Sequence, residues 1–209
     1  MECNMKIIAI LSQKGGGGKS TLARCLAVEL TRQKFKVLLV DLDIQQKTSW
    51  EWSEKRKRKG IKPLVNCQTY PFFDEKLTKF PYNYLIIDGP AKISKESLII
   101  AKQVNLVIQP VRPSLDDLNP AIREFNGLVK AGINRKKIAC LINCVNSTTE
   151  EKNTREYLTE AGYFTFPISL LDKVSYREAQ NQGLSIGEVR YLRLRKQVKE
   201  LVKGILDKI

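Results

Sequence analysis

The residues with the clearest chemical potential are Gln13-Lys14-Gly15-Gly16-Gly17-Gly18-Lys19-Ser20-Thr21, set between an apolar run at 7–11 and a helical pattern that begins near Leu22. Four consecutive glycines carry no Cβ, so successive backbone N–H groups can curl around an anion at a helix N-terminus. Lys19 adds a point charge suited to β- and γ-phosphates, and the Ser20 hydroxyl is placed to ligate Mg²⁺. The stretch reads as a phosphate-binding loop.

Three carboxylates end apolar runs. Asp41 and Asp43 follow the run at 37–40, and at i and i+2 on an extended segment they point to one side, which suits a site handling Mg²⁺ and an attacking water. They could equally cap the following turn. Asp88 ends the run at 84–87 and is followed by Gly89-Pro90, a pattern in which the carboxylate holds Mg²⁺ and the chain passes into a responsive loop. Asp88 can cap the next turn at the same time. The run at 138–142 ends on Asn143, a side chain with both donor and acceptor. No NKxD sequence is present to read guanine, which favours ATP over GTP. The chain has no histidine, so histidine bases, triads and metal ligation are excluded, and proton chemistry falls to carboxylates or water.

These groups need a scaffold that brings strand ends together. Strands are expected at 6–11, 36–40, 64–67, 84–87, 104–108 and 137–142. Helices are expected at 19–33, 48–59, 95–102, 115–130 and 150–160. Continuous rather than alternating hydrophobicity in the strands means burial on both faces. The βαβα order then gives a single α/β domain over 1–209, a doubly wound, mostly parallel sheet flanked by helices, with ligands beyond the carboxyl ends of the strands. The segment from about 171 to 209 is expected to be helical and basic.

Lys+Arg number 36 against 22 Asp+Glu, a net +14, which calls for an anionic partner larger than one nucleotide. Two stretches concentrate it. One is Glu54-Lys55-Arg56-Lys57-Arg58-Lys59-Gly60, after Trp50 and Trp52. The other sets Arg190, Arg193, Arg195, Lys196, Lys199 and Lys203 against Val189, Leu192, Val198, Leu201, Val202 and Ile205 at helical spacing. Such a helix can present cations to DNA or lie on a membrane; the basic body of the chain and the lack of a Phe or Trp anchor favour DNA. Cys3, Cys25, Cys67, Cys140 and Cys144 form no CxxC pair and read as reduced, mostly buried residues. With no signal-like start and no apolar run of membrane-spanning length, a cytoplasmic protein is expected.

Lys14, five residues before Lys19, with Gln13 where a glycine is usual, makes the loop resemble the deviant Walker A motif KGGxGK[ST]T of the ParA/MinD class of P-loop ATPases. Asp41-Leu42-Asp43-Ile44-Gln45 resembles that family's DxDPQ segment with Ile44 replacing proline, and Val107-Ile108-Gln109-Pro110-Val111-Arg112-Pro113-Ser114-Leu115-Asp116 resembles its PVxPSxxD segment. Tyr176-Arg177-Glu178-Ala179 with Gly183-Leu184-Ser185-Ile186 resembles a stretch of the partition ATPases. The short length is similar to small ParF-like partition ATPases.

The resemblance implies ATP and Mg²⁺ as cofactors. It gives Gly15, Gly16, Gly17, Gly18, Lys19, Ser20 and Thr21 to the phosphates, Asn143 to adenine, and Ser20 and Asp88 to the metal, with Asp41 supporting its shell. Asp43 would position the water, and Lys14 would reach across an ATP-dependent homodimer to the partner's nucleotide. It further implies slow hydrolysis stimulated by a small centromere-binding (ParB- or ParG-like) protein, nonspecific DNA as the surface bound, a nucleoid-associated location and no stable membrane association. A discrete dimer and a filament both remain open. Rival readings are a MinD-like membrane-cycling ATPase and a small-molecule enzyme of the dethiobiotin synthetase type.

Overall fold

Apolar runs too short for helices become the strands of one sheet. β1 (Lys6–Ile10), β2 (Val37–Asp41), β3 (Asn66–Thr69), β4 (Tyr84–Asp88), β5 (Leu106–Val111), β6 (Ile138–Ile142) and β7 (Phe164–Thr165) lie in the order β3-β2-β4-β1-β5-β6-β7. Every neighbouring pair is parallel. The computed structural model describes residues 5–90 and 95–209.

Both faces of the sheet are covered. The helices are α1 (Lys19–Arg32), α2 (Thr48–Arg58), α3 (Lys95–Gln103), α4 (Leu115–Lys130), α5 (Thr148–Glu160), α6 (Val174–Asn181) and α7 (Leu192–Leu206). Successive strand residues point to opposite faces, and β1 divides accordingly. Ile7 and Ala9, followed by Leu11, join a core with Phe125 of α4 and Leu158 of α5. Ile8 and Ile10 join the opposite core with Leu22 and Leu26 of α1 and Val198 and Leu201 of α7. Each fully buried aliphatic side chain stabilises by roughly 1.5–3 kcal/mol, so β1 is held from both sides and the loop that leaves it has a fixed origin.

The expected elements are found with five adjustments, the first being β5, which runs Leu106–Val111 rather than 104–108. The third strand lies at Asn66–Thr69 rather than 64–67, because its place is set by pairing Leu38 with Asn66 and, on this edge, Leu64 remains 41% exposed. β7, two residues long, has too little pattern to be read. α5 starts at Thr148, where the Ser147 hydroxyl accepts from the Glu150 N–H and the Glu150 carboxylate accepts from the Asn146 N–H. The segment 171–209 is two helices separated by a 3₁₀ turn at Ile186–Glu188, and Leu192, expected on the apolar face, is 72% exposed at the first position of α7. Cys25 and Cys140 are buried and Cys67 and Cys144 half-buried, all four as free thiols. Cys3 and the loop expected to follow Pro90, at 91–94, lie outside the described residues.

Candidate functional site

The loop turns from β1 into α1 within a few residues, which only glycine allows at its last step. Gly18 has φ 102, in the left-handed region, and a Cβ there would strike the Asn143 carboxamide. Lys19 folds back over the loop, its Nζ donating to the carbonyls of Ser12 at 3.3 Å and Lys14 at 3.5 Å. Burial lowers its pKa, and the nearby carboxylates Asp88, Glu124 and Asp43 offset that effect. A buried cation held by carbonyl dipoles without a carboxylate in contact is prepared for an incoming anion.

A cleft of about 520 Å³ opens beside it, and it gathers Gly15, Gly16, Gly18, Lys19, Ser20, Thr21, Asp43 and Asp88 from three strand ends. β2 and β4 are in register there, Asp41 beside Asp88. Asp88 is buried, its Oδ2 accepts from the Ser49 hydroxyl at 2.6 Å, and its Oδ1 makes no hydrogen bond. Burial, then the neighbouring Asp41, push its pKa up to about 6, against the opposing effect of the Ser49 and Ser20 hydroxyls and Arg24. An unpartnered, buried carboxylate oxygen near a serine hydroxyl fits a hard divalent cation such as Mg²⁺, which takes few protein oxygens and keeps its waters. Ser20 Oγ lies 3.1 Å from Thr48 Oγ1.

Asp41 differs from this. Its two oxygens accept the N–H groups of Asp43 at 3.0 Å, Ser49 at 2.8 Å and Trp50 at 3.1 Å, so the carboxylate caps α2. Burial raises its pKa and the three N–H groups counter that. Asp43 is half-buried at the cleft wall and accepts the Gln46 N–H at 2.9 Å.

Asn143 does not line the cleft. Its buried carboxamide donates to the Gly17 carbonyl at 2.8 Å and so props the loop from beneath. Lys14 points outward, 49% exposed, and pairs with Asp117 of α4 at 3.0 Å. Beneath it, Glu124 of α4 accepts the Gln13 N–H at 3.3 Å and the Gln109 amide at 2.7 Å. Burial pushes the Glu124 carboxyl up to about 7, opposed by those two donors and Lys19. Arg112, beyond β5, donates to the Gly16 carbonyl at 2.9 Å, so the PVxPS-like segment does touch the loop.

Several groups at the site have no role assigned from sequence, although Arg177 lies in the YREA-like stretch. Arg24 of α1 donates to Ser49 Oγ at 3.2 Å and to Gln180 of α6 at 3.1 Å, while Gln180 donates to Thr21 at 3.0 Å. Arg24, Arg177 and Gln180 line the cleft. Glu124 left one legible trace: with Leu118, Ala121, Phe125 and Leu128 it shares the buried stripe of α4, and a carboxylate on an apolar stripe is unusual. Arg56, read as one cation of a basic cluster, is fully buried and gives two hydrogen bonds to Glu188, with others to the carbonyls of Pro63 and Gly183.

Known proteins match this arrangement. The CbiA profile, the CobQ/CobB/MinD/ParA nucleotide binding domain, matches residues 8–186. A protein of Gloeobacter kilaueensis called maintenance of carboxysome distribution protein A is 27% identical over 187 residues, covering 87% of this chain and 83% of its own. The fold is shared with MinD in the MinC:MinD cell division complex of Aquifex aeolicus (TM-score 0.76, 16% identity, 97% of this chain and 96% of that one). It is also shared with a plasmid partition protein of Borrelia burgdorferi bound to AMPPNP (TM-score 0.72, 21% identity, 99% of this chain and 100% of that one). A glycine loop between β1 and α1, carboxylates at the ends of β2 and β4, and a profile match across most of the chain lead to one conclusion: the protein belongs to the CobQ/CobB/MinD/ParA nucleotide-binding family.

Proposed function

We propose that the protein is an ATP-dependent partition switch: with ATP and Mg²⁺ two copies join face to face, the dimer holds nonspecific DNA, and a small centromere-binding partner stimulates slow hydrolysis that releases it. The observation that carries this reading is the division of labour within one loop. Lys19 is buried against the cleft, whereas Lys14, five residues earlier, is half-exposed and paired away from the cleft with the largely covered carboxylate of Asp117. A lysine that does not line its own cleft can serve a second copy's, in the manner of an arginine finger. Ser20 and Asp88 would hold Mg²⁺, which when bound neutralises phosphate charge. Gly15 to Gly18 offer N–H groups to the phosphates, Asp43 at the cleft wall orients the water, and Asp41 keeps α2 capped beside them.

The DNA component is supported by the exposed side of α7. Its apolar residues Leu194, Val198, Leu201, Val202 and Ile205 are spent on the core, so little remains for a membrane, while Arg193, Arg195, Lys196, Lys199 and Lys203 are exposed. Arg32 at the end of α1 joins Arg195, Lys196 and Lys199 along one groove. The relatives named for carboxysome distribution and plasmid partition support a cargo-positioning role over a metabolic one.

Retention on arbitrary duplex DNA, compared with ATP, ADP and no nucleotide, tests the reading. ATP alone should give retention, and affinity should fall by about 10³-fold or more between 50 and 200 mM salt if some six phosphates are neutralised. Equal binding with ADP, or binding that salt hardly alters, would overturn it; ATP-dependent sedimentation with liposomes instead would favour a membrane cycle.

A further inference from the structure

We propose that Thr48 and Ser49, the first two residues of α2, are positioning residues for the metal-binding oxygens and make α2 a reporter of metal loading; this rests on the Mg²⁺-dependent reading above. Each touches one of the two groups assigned to the cation: Ser49 Oγ lies 2.6 Å from Asp88 Oδ2, and Thr48 Oγ1 lies 3.1 Å from Ser20 Oγ. The direction of the first bond is fixed. The Arg24 guanidinium donates to Ser49 Oγ, so the single Ser49 proton is left for Asp88. Oδ2 is thereby occupied and Oδ1, which has no partner, is the oxygen left for a cation. The contact between Ser20 and Thr48 has no fixed direction, and Thr48 acts on the cation's ligands by holding the Ser20 oxygen in place. Partners that orient ligands in this way typically change metal affinity 10- to 100-fold when removed.

The same two residues begin a helix that is held at both ends. Asp41 caps its N–H groups, and Arg56 near its other end is locked onto Glu188. With the helix so anchored, a change at Ser20 or Asp88 is felt locally in its first turn, where Trp50 directly follows Ser49. α2 carries Trp50 and Trp52, and the chain contains two tryptophans in all, so its environment can be read directly.

The test is tryptophan emission of the protein saturated with AMPPNP, titrated with Mg²⁺, alongside nucleotide affinity measured in EDTA. In the unaltered protein Mg²⁺ should change the emission. Ser49→Ala should raise the half-saturating Mg²⁺ concentration about tenfold while metal-free nucleotide affinity stays close to the original. Ser49→Thr, which keeps the hydroxyl, should restore it, and Thr48→Val should show a smaller rise. An unchanged Mg²⁺ midpoint in Ser49→Ala overturns the inference while leaving the proposed function standing. So does an equal loss of metal-free affinity, or a failure of Ser49→Thr to rescue, since either indicates a purely structural role. If the unaltered protein binds AMPPNP with no Mg²⁺ dependence, the inference falls together with the metal component of the proposed function.

Discussion

Lys14 and Lys19 stand five residues apart in one loop and are in opposite physical situations. Lys19 is buried, its ammonium held by two carbonyls and by carboxylates at a distance, so an arriving phosphate meets a charge already stripped of water. Lys14 is half-exposed and tied by a single ion pair to Asp117, whose carboxylate is 11% exposed and also accepts from the Ser114 hydroxyl, so the solvated side of the contact is that of the lysine. The difference teaches that sequence spacing alone does not assign a lysine to a nucleotide. The glycine turn carries one lysine inward and leaves the other outside, where its partner must come from elsewhere.

The sharpest way to break the comparison is Lys14→Gln. It should lower turnover by about 10³-fold, the lower range for a finger residue acting in trans. ATP-driven dimerisation should vanish and nucleotide binding by the monomer persist, as read by ATPase assay and light scattering; unchanged turnover removes the cross-subunit role. Lys19→Ala should do the converse. Losing a charge-assisted contact worth about 2–3 kcal/mol should weaken ADP binding to the monomer by roughly 30- to 150-fold in calorimetry, and a loss no larger than that of Lys14→Gln would show that the two lysines are not distinct.

Glu124 lies beneath both lysines and yields a prediction with a definite sign. Burial raises its carboxyl to about 7 from the ordinary 4.5, so the folded state holds the proton more tightly than the unfolded state. Its contribution to stability is complete below about pH 4.5 and is lost as pH rises through about 7. Glu124→Gln should therefore stabilise the nucleotide-free protein by about 3 kcal/mol at pH 8 and hardly at all at pH 4.5, in urea unfolding. Asp88, also raised, acts in an overlapping window and leaves some slope behind in the variant. A uniform shift at both pH values would mean that Glu124 acts through packing rather than titration. The smallest effect belongs to Asp117→Asn, which should change stability by less than about 1 kcal/mol and, by releasing Lys14, modestly strengthen ATP-driven dimerisation. A large loss of stability would show that Lys14 is anchored rather than available.

The legible parts of the fold were those where one segment carries its own signal. β1, β2, β4 and β6 are continuous apolar runs because both of their faces are covered, and α4 keeps a regular stripe because one face is. β3 and β7 lie at the sheet edges, where burial demands little of the sequence, and there the pattern shifted or vanished. The split of the C-terminal segment was hidden because α6, the turn and α7 all alternate apolar and charged residues.

At the site, the glycine loop, Lys19, Ser20, Asp43 and Asp88 could be placed from sequence, since each sits at a strand end or helix start that the chain itself marks. What remained hidden depended on contacts between distant segments. Asn143 was legible as a strand-end amide, yet only the packing of β6 beneath the loop turned it toward Gly17. Arg56 was legible as one cation among many, yet Glu188 and the carbonyls of Pro63 and Gly183 bring it into the interior. Ser49 had no signal of its own, because its partners Arg24 and Asp88 arrive from α1 and β4. The sequence by itself determined the order of elements and the chemistry at their ends, because local periodicity and backbone freedom decide those. Tertiary structure alone decided which of two loop lysines faces the cleft, which aspartate caps and which keeps an oxygen free, because those depend on burial and on hydrogen-bond partners far away in the chain.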